Sequence, residues 1–600
     1  MIGDALDGLD ERQREAAATL RGPVLVLAGA GTGKTRVITH RIAHGVDTGA
    51  YSPGRVMAVT FTAKAAGEMR GRLRALGVEG VSARTFHAAA LAQLNFFWPT
   101  LAGDSAPAIV DNKVRLLAHA ADGVGIDADK ATLRDIASEI EWRKVTLRSI
   151  DAWAAARPGG VGRYDVSRVA DLQRAYEKLK DERRQLDFED VLLACAGMLE
   201  AEPRVAQAVR EQYRHFTVDE FQDVSPLQHR LLQLWVGERR DLCVVGDASQ
   251  TIYSFAGADA RFLLEFPARH PDATVVRLET NYRSDGAVLA VANELMRDRP
   301  GALELQPAPN RPPAARPETA TAAGEPPLPT VTAYPDDAAE AAGVADAIAA
   351  RISAGADPRS IAVLYRAHAQ SPELLRALAE RGIAATVLGG RRFFEVPEVR
   401  QALMALRGAS VATQEHGLVD SVRDVLRSLG MTDEPPPAGG ALRDAWEARA
   451  AILRLAEEAV PGTGLRAFTD DLIARAKSQH EPALRTVTLA TLHAAKGLEW
   501  DHVHLLGLSE GFLPISYATT FEQVDEERRL AYVGITRAGR SLSLSWSRSI
   551  GHRERTPSRF LREIGSGTLR AADGRASGGA ASRRAPARNA PTASSAPRSR

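Results

Sequence analysis

Thiols are scarce in this chain: two cysteines, Cys195 and Cys243, in 600 residues. That excludes a disulfide framework and a four-thiolate zinc site. No apolar run approaches the roughly 18 residues that a membrane span requires. The start, Met1-Ile2-Gly3-Asp4, has no basic end leading into an apolar stretch, so no secretory signal is expected and a cytoplasmic protein is. A large net charge is missing as well, the formal value being +1. Between Gly565 and Arg600 stand seven Arg and one Asp, a local +6, which leaves −5 for the 564 residues before it. A nucleic-acid site in the body must therefore be a local groove rather than a whole-protein field. Lysine is rare, nine against 67 Arg, so a Lys inside a motif is poorly explained by a general preference for basic residues.

What is present is ordinary globular protein: 45% hydrophobic and 25% charged residues. Six hundred residues imply about three to five domains. Short apolar runs such as Val24-Leu25-Val26-Leu27, Val56-Met57-Ala58-Val59, Leu242-Cys243-Val244-Val245 and Val275-Val276-Arg277-Leu278 suit buried parallel strands. A second group includes Ile361-Ala362-Val363-Leu364-Tyr365, Val487-Thr488-Leu489, Val503-His504-Leu505-Leu506 and Leu542-Ser543-Leu544-Ser545. Residues 88–215 and 395–480 read as mostly helical. The fold class expected is α/β, with two cores that each carry a helical insertion. Gln306–Thr330 holds eight of the 32 prolines and reads as an extended linker, and the Ala/Ser/Gly/Pro/Arg-rich segment 565–600 reads as a disordered basic tail.

The chemistry begins after the first apolar run. Ala28-Gly29-Ala30-Gly31-Thr32-Gly33-Lys34-Thr35 lies between a strand and a helical pattern opening with Arg36, the context a P-loop requires. Small residues let successive backbone N–H groups wrap a phosphate, and the helix N-terminus adds partial positive charge. Lys34 would reach the β- and γ-phosphates and the Thr35 hydroxyl would ligate Mg2+. An acidic partner is expected at the end of a neighbouring strand, and Phe216-Thr217-Val218-Asp219-Glu220 supplies it. Asp219 would hold Mg2+ through water, and Glu220 would polarise the attacking water.

Ordered motifs over about residues 6–564 then resemble a superfamily 1A helicase of the UvrD/PcrA/Rep type. They are Leu9-Asp10-Glu11-Arg12-Gln13, Thr60-Phe61-Thr62-Ala63-Lys64, Leu186-Asp187-Phe188-Glu189-Asp190, Val245-Gly246-Asp247-Ala248-Ser249-Gln250-Thr251-Ile252-Tyr253-Ser254-Phe255, Asn281-Tyr282-Arg283-Ser284, Thr491-Leu492-His493-Ala494-Ala495-Lys496-Gly497-Leu498-Glu499, and Glu527-Arg528-Arg529 through Thr536-Arg537-Ala538. Thr85-Phe86-His87-Ala88-Ala89-Ala90 and Phe96-Phe97-Trp98-Pro99 suggest the subgroup of second UvrD-like helicases of actinobacteria.

The resemblance implies two RecA-like P-loop NTPase domains: the first from 1–90 and 188–272, the second from 273–394 and 482–564. Helical insertions would occupy 91–187 and 395–481. ATP would be held by Gln13, Ala28 to Arg36, Tyr282, Arg283, Lys496, Glu499 and Arg537. Gln13 would read the adenine edge, Tyr282 would stack on adenine, Lys496 would lie near phosphate and Glu499 near ribose. Gln250 and Arg283 would meet the γ-phosphate, and Arg537 would be an arginine finger. DNA would be gripped by Phe61, Lys64, His87, Phe188, Tyr253, Phe255, Arg366, His493 and Phe560. Phe255 stands where relatives often place Trp, and Ala63 and His368 where Asn is usual.

The activity implied is an ATP-dependent 3′→5′ single-stranded DNA translocase and helicase of repair or recombination. Its cofactors would be ATP and Mg2+. Its partners would be single-stranded DNA, single/double-strand junctions and repair proteins, with the chain a monomer or weak dimer associated with the bacterial nucleoid. Alternatives sharing the same ATPase site are a protein-displacing clamp with little unwinding and the motor subunit of a helicase–nuclease.

Overall fold

The apolar runs form two parallel sheets. In the computed structural model, which describes residues 5–309, 328–388, 394, 396–410, 417–434, 441–457, 459–460, 462–478, 485–550 and 553–573, the first sheet has six strands. They are β1 (Val24–Ala28), β2 (Val56–Thr60), β3 (Ser82–Thr85), β4 (His215–Val218), β5 (Leu242–Gly246) and β6 (Thr274–Leu278). Their order is β3-β2-β4-β5-β1-β6, with every pairing parallel. Central strands such as β2 and β5 are buried along their whole length, which is why they read as unbroken apolar runs. Helices Lys34–Asp47 and Ala63–Ala75 cover one face with Val37, Ile38, Ile42, Met69 and Leu73. Helices Phe86–Ala102, Phe188–Ala201 and Pro226–Val236 cover the other with Phe86, Leu94, Val191, Leu227 and Trp235.

The second sheet has seven strands: β7 (Thr330–Tyr334), β8 (Ile361–Tyr365), β9 (Ala385–Val387), β10 (Val487–Thr491), β11 (Trp500–Leu505), β12 (Ala538–Ser547) and β13 (Arg570–Asp573). Their order is β9-β10-β8-β11-β12-β7-β13, again parallel throughout. Ala30 and Ile252 of the first unit join the same buried cluster as Leu364, Leu492, Leu505 and Val533 of the second. The two sheets therefore meet through a packed apolar seam around the P-loop. Each helical insertion has its own core: Leu117, Ile136, Ile140, Trp153, Leu172 and Tyr176 in the first, and Val399, Leu406, Leu426, Ile452 and Phe468 in the second.

Several expected boundaries move. Helix Phe86–Ala102 runs unbroken through the expected limit at residue 90, and Ala89, Ala90 and Leu94 belong to the first unit's core. Strand β6 pairs with β1 in the first sheet, beyond the expected start of the second unit at residue 273. The segment expected to be a disordered tail begins with ordered chain: Leu569 is buried and β13 adds to the edge of β7. Main-chain pairing needs no apolar residue, so a segment poor in them can still close a sheet. In the expected linker, Gln306–Pro307 pairs with Thr280–Asn281, and residues 310–327 lie outside the described residues, as do 574–600.

Candidate active site and nucleic-acid interface

The strand order places the P-loop and the acidic motif side by side. Strands β4, β5 and β1 are neighbours, so the chain leaving their carboxyl ends delivers Asp219 and Glu220, Asp247 and Gln250, and the P-loop to one edge. The loop needs glycine at two of its positions. Gly31 has φ +70° and a Cβ there would meet Asn281 Nδ2 at 2.5 Å; Gly33 has φ +85° and a Cβ would meet Gln13 Nε2 at 2.9 Å. Gln13 is buried; its amide nitrogen donates to Thr32 O at 2.9 Å and its Oε1 accepts from Asp10 N at 3.3 Å. Both ends of the amide expected to read adenine are thus engaged, the nitrogen with the P-loop and the oxygen in the cap of its own helix. Arg36 donates to Gly8 O at 2.8 Å, tying the loop's helix to the N-terminal segment.

Lys34 Nζ is buried and makes no hydrogen bond among the described residues. A buried ammonium without a partner is costly, and an anion at this helix start would supply the missing contact. Facing it are carboxyls with divergent chemistry. Burial, reinforced by Glu220, pushes the Asp219 carboxyl up. Burial also acts on Glu220, but Lys34 and Lys496 outweigh it and hold that carboxyl down. The anionic form of Glu220 is therefore the favoured one. Its backbone is left-handed, φ +52° and ψ +42°, a conformation that costs a non-glycine residue about 1–2 kcal/mol and aims the side chain into the cleft.

The second unit sends cations across. Lys496, after β10, donates to Gln250 O at 2.8 Å, pairs with Asp223 Oδ2 and lies 3.9 Å from Glu220 Oε2. It sits on the carboxylates, not free over the P-loop as expected of a phosphate ligand. Burial raises Asp223 to about 6, with Lys496 opposing. Gln250 Nε2 donates to Asp247 Oδ2 at 2.7 Å. Arg283 Nε donates to Glu499 Oε2 at 2.6 Å. Arg537 is buried beneath it, and its contacts among the described residues are neutral acceptors: Val533 O, Leu498 O and Thr536 Oγ1. Burial and the nearby Arg283 lower its guanidinium to about 9. Tyr282 is 45% exposed, donates to Asp10 Oδ2 at 2.5 Å, and with Arg283, Glu499 and Trp500 lines an open pocket beside the P-loop.

Sequence reasoning gave no role to Asn281 or Tyr532. Asn281 is buried, with Nδ2 on Ala30 O at 2.6 Å and Oδ1 accepting from Arg283 N and Ser284 N. It locks the Arg283 turn to the P-loop; its adjacency to Tyr282-Arg283 was the available signal. Tyr532 is buried among Asp247, Arg537 and the Ala30 backbone.

The expected strand contacts divide into two ring groups. Phe61 stacks on Tyr253, with centroids 5.4 Å apart and planes at 14°; Tyr253 and Phe255 both lie edge-on or tilted to His493. Phe61 and Phe255 are 41% and 67% exposed, so ring faces stay open to bases. Burial lowers His493 to about 4, with Arg366 and Lys496 adding to it. Separately, His87 stacks on Phe188 at 3.9 Å and 17°. Lys64 stands exposed on the first turn of its helix.

Two expectations fail here. Phe560 is wholly buried in the second core, with Arg528 over its ring, and offers no face to a base. Arg366 is gripped by Glu527, with Nε at 3.0–3.1 Å and Nη2 at 2.8 Å, so its guanidinium orders the second unit's edge and does not stand free for a strand.

Comparison with known proteins agrees with this assembly. The family model for the UvrD/REP helicase N-terminal domain matches residues 9–271, and that for the UvrD-like helicase C-terminal domain matches 276–430 and 451–549. The chain is 47% identical over 585 residues to ATP-dependent DNA helicase UvrD2 of Mycobacterium tuberculosis, covering 93% of this chain and 81% of that protein. It is 30% identical to DNA helicase II of Escherichia coli (93% and 88% covered) and 29% identical to ATP-dependent DNA helicase PcrA of Bacillus subtilis (93% and 86%).

Proposed function

Because the chain belongs to the UvrD/Rep helicase family, and is accordingly an ATP-dependent DNA helicase, we propose that it moves 3′→5′ along single-stranded DNA and opens duplexes at single/double-strand junctions during repair or recombination. The observation that supports a motor is the cleft itself. Lys34, Asp219 and Glu220 come from one unit, while Lys496 and Arg537 come from the other. Hydrolysis of ATP needs charge neutralisation more than covalent help. Neutralisation here requires both units, so turnover is coupled to their closure and opening.

Glu220 is the residue we assign to orienting the water. Lys34 and the P-loop backbone hold the phosphates, and Arg283 and Arg537 approach the γ-phosphate as the units close. Thr35 and Asp219 offer the hard oxygen donors that Mg2+ takes. No group of three or more His, Cys, Asp or Glu among the described residues could hold a metal by itself, so an ion there needs phosphate oxygens and water as well. Mg2+ would neutralise phosphate charge. Strand movement then uses the rings: Phe61, Tyr253 and Phe255 ride on the first unit and His493 on the second, so a change of the cleft shifts one set against the other.

The experiment is strand displacement with ATP on duplexes carrying a 3′ or a 5′ tail. Opening of the 3′-tailed duplex alone is expected. Opening of only the 5′-tailed duplex would overturn the direction, and protein displacement without strand separation would favour the clamp.

A further inference from the structure

Three of the chain's nine lysines converge beneath the first insertion, on the turn that carries Phe188. Lys113, Lys144 and Lys180 come from three different helices: Lys113–Gly123, Lys130–Val145 and Val166–Glu182. Asp187 caps the next helix, accepting from Asp190 N at 3.1 Å, while Asp190 Oδ2 accepts from Asp187 N at 3.0 Å. Onto this capping box the lysines close. Lys144 Nζ reaches Asp187 at 2.8 Å, Asp190 at 2.6 Å and Glu177 at 3.1 Å. Lys180 Nζ meets the same three carboxylates, and Lys113 Nζ pairs with Glu189 at 2.5 Å. The side chains of Lys144, Lys180 and Asp187 are 1–3% exposed.

Buried ion networks rarely stabilise a fold more than apolar packing would, so geometry is the better account of their presence. An ammonium has three radiating donors and can bridge three carboxylates, which a planar guanidinium does poorly. That explains lysine here in a chain that otherwise uses arginine. The residue held is Phe188: it follows Asp187 directly, is 56% exposed, and stacks on His87 of helix Phe86–Ala102.

We infer that Lys113, Lys144 and Lys180 are positioning residues for strand binding, which fasten the three insertion helices to the Phe188 turn and set that ring against the DNA. The inference rests on the reading of Phe188 as a base-stacking platform. It makes insertion orientation and base stacking one mechanical unit.

The test is a double-substitution cycle on the full chain, reading the single-stranded DNA concentration for half-maximal ATPase. Phe188→Ala should raise that concentration about tenfold, the loss of one stacked base. Lys144→Met should raise it comparably with little change in the rate without DNA. The double variant should be no worse than either single, because the lysine acts through the ring. A purely structural lysine would instead add its effect to that of Phe188→Ala, and additivity overturns the inference. If Lys144→Met does not fold, Asp190→Asn, at the rim of the same network, takes its place with the same expectations. No shift in either network variant while Phe188→Ala shifts overturns the inference alone. No shift in Phe188→Ala overturns the reading of Phe188, and the inference with it.

Discussion

In the nucleotide cleft Lys34 Nζ is buried without a hydrogen bond among the described residues, whereas under the first insertion Lys144 Nζ touches three carboxylates. Among the described residues Asp223 Oδ1 also lacks a hydrogen bond and Arg537 donates to neutral acceptors only, while Asp187 accepts from Lys144, Lys180, Tyr176 and Asp190 N. Both places bury several charges, yet only one closes its own account. Satisfied charge fixes a geometry, and unsatisfied charge is chemistry waiting for a ligand. The same residue type, lysine, has opposite meanings in the two places, and burial of the head group alone does not tell them apart.

The largest effect that sharpens this contrast is on catalysis. Lys34→Ala should lower DNA-stimulated ATP hydrolysis by at least about 100-fold, with a smaller loss of stability than a variant in the insertion network, because Lys34 acts on Glu220 through its charge and holds no hydrogen bond among the described residues. Glu220→Gln should keep ATP binding while hydrolysis falls by a similar factor; equal loss of binding, seen in nucleotide titration, would make Glu220 structural. In the insertion the effect falls on stability instead. Lys144→Met should cost about 3–5 kcal/mol by denaturant unfolding, because it leaves Asp187, Asp190 and Glu177 with too few cations. If Lys34→Ala destabilised as much as Lys144→Met, the contrast would break.

A smaller effect concerns protons. Burial lowers His87 to about 4 from its ordinary 6.5, so its neutral form belongs to the folded state. In the window between those values the unfolded chain binds more protons. The stability from neutral His87 is therefore present above pH 6.5 and is lost as pH falls toward 4, by at most about 3 kcal/mol. His87→Phe keeps a ring on Phe188 and should lose less stability than the parent over that range; parallel pH curves would exclude His87 as the source. Smallest is Tyr282→Ala, expected to raise the ATP concentration for half-maximal rate about tenfold with little change in maximal rate, since stacking is felt alike in ground and transition states.

Much of the site could be read without the fold because its chemistry is local. The P-loop needs small residues at positive φ next to a strand and a helix, and Ala28 to Thr35 carries that in eight consecutive residues. Asp219 and Glu220 follow their strand directly. Other readings failed where local pattern is silent. Phe560 has an aromatic's composition cue whether it faces a base or a core, and only packing among Leu530, Ile564 and Leu569 buries it. Strand β13 carries no apolar run, so its membership of the sheet comes from the free edge of β7.

The sequence by itself determined the strand runs, the phosphate loop, its acidic partner and the order of the motifs, because each is encoded within a few neighbouring residues. The tertiary structure decided which distant charges meet: Lys496 with Asp223 across 273 residues, Arg283 with Glu499 across 216, and Arg366 with Glu527 across 161. Coulombic and hydrogen-bonded pairs act through space over a few ångströms, and closeness in space at such separations follows from how the two sheets and their insertions pack.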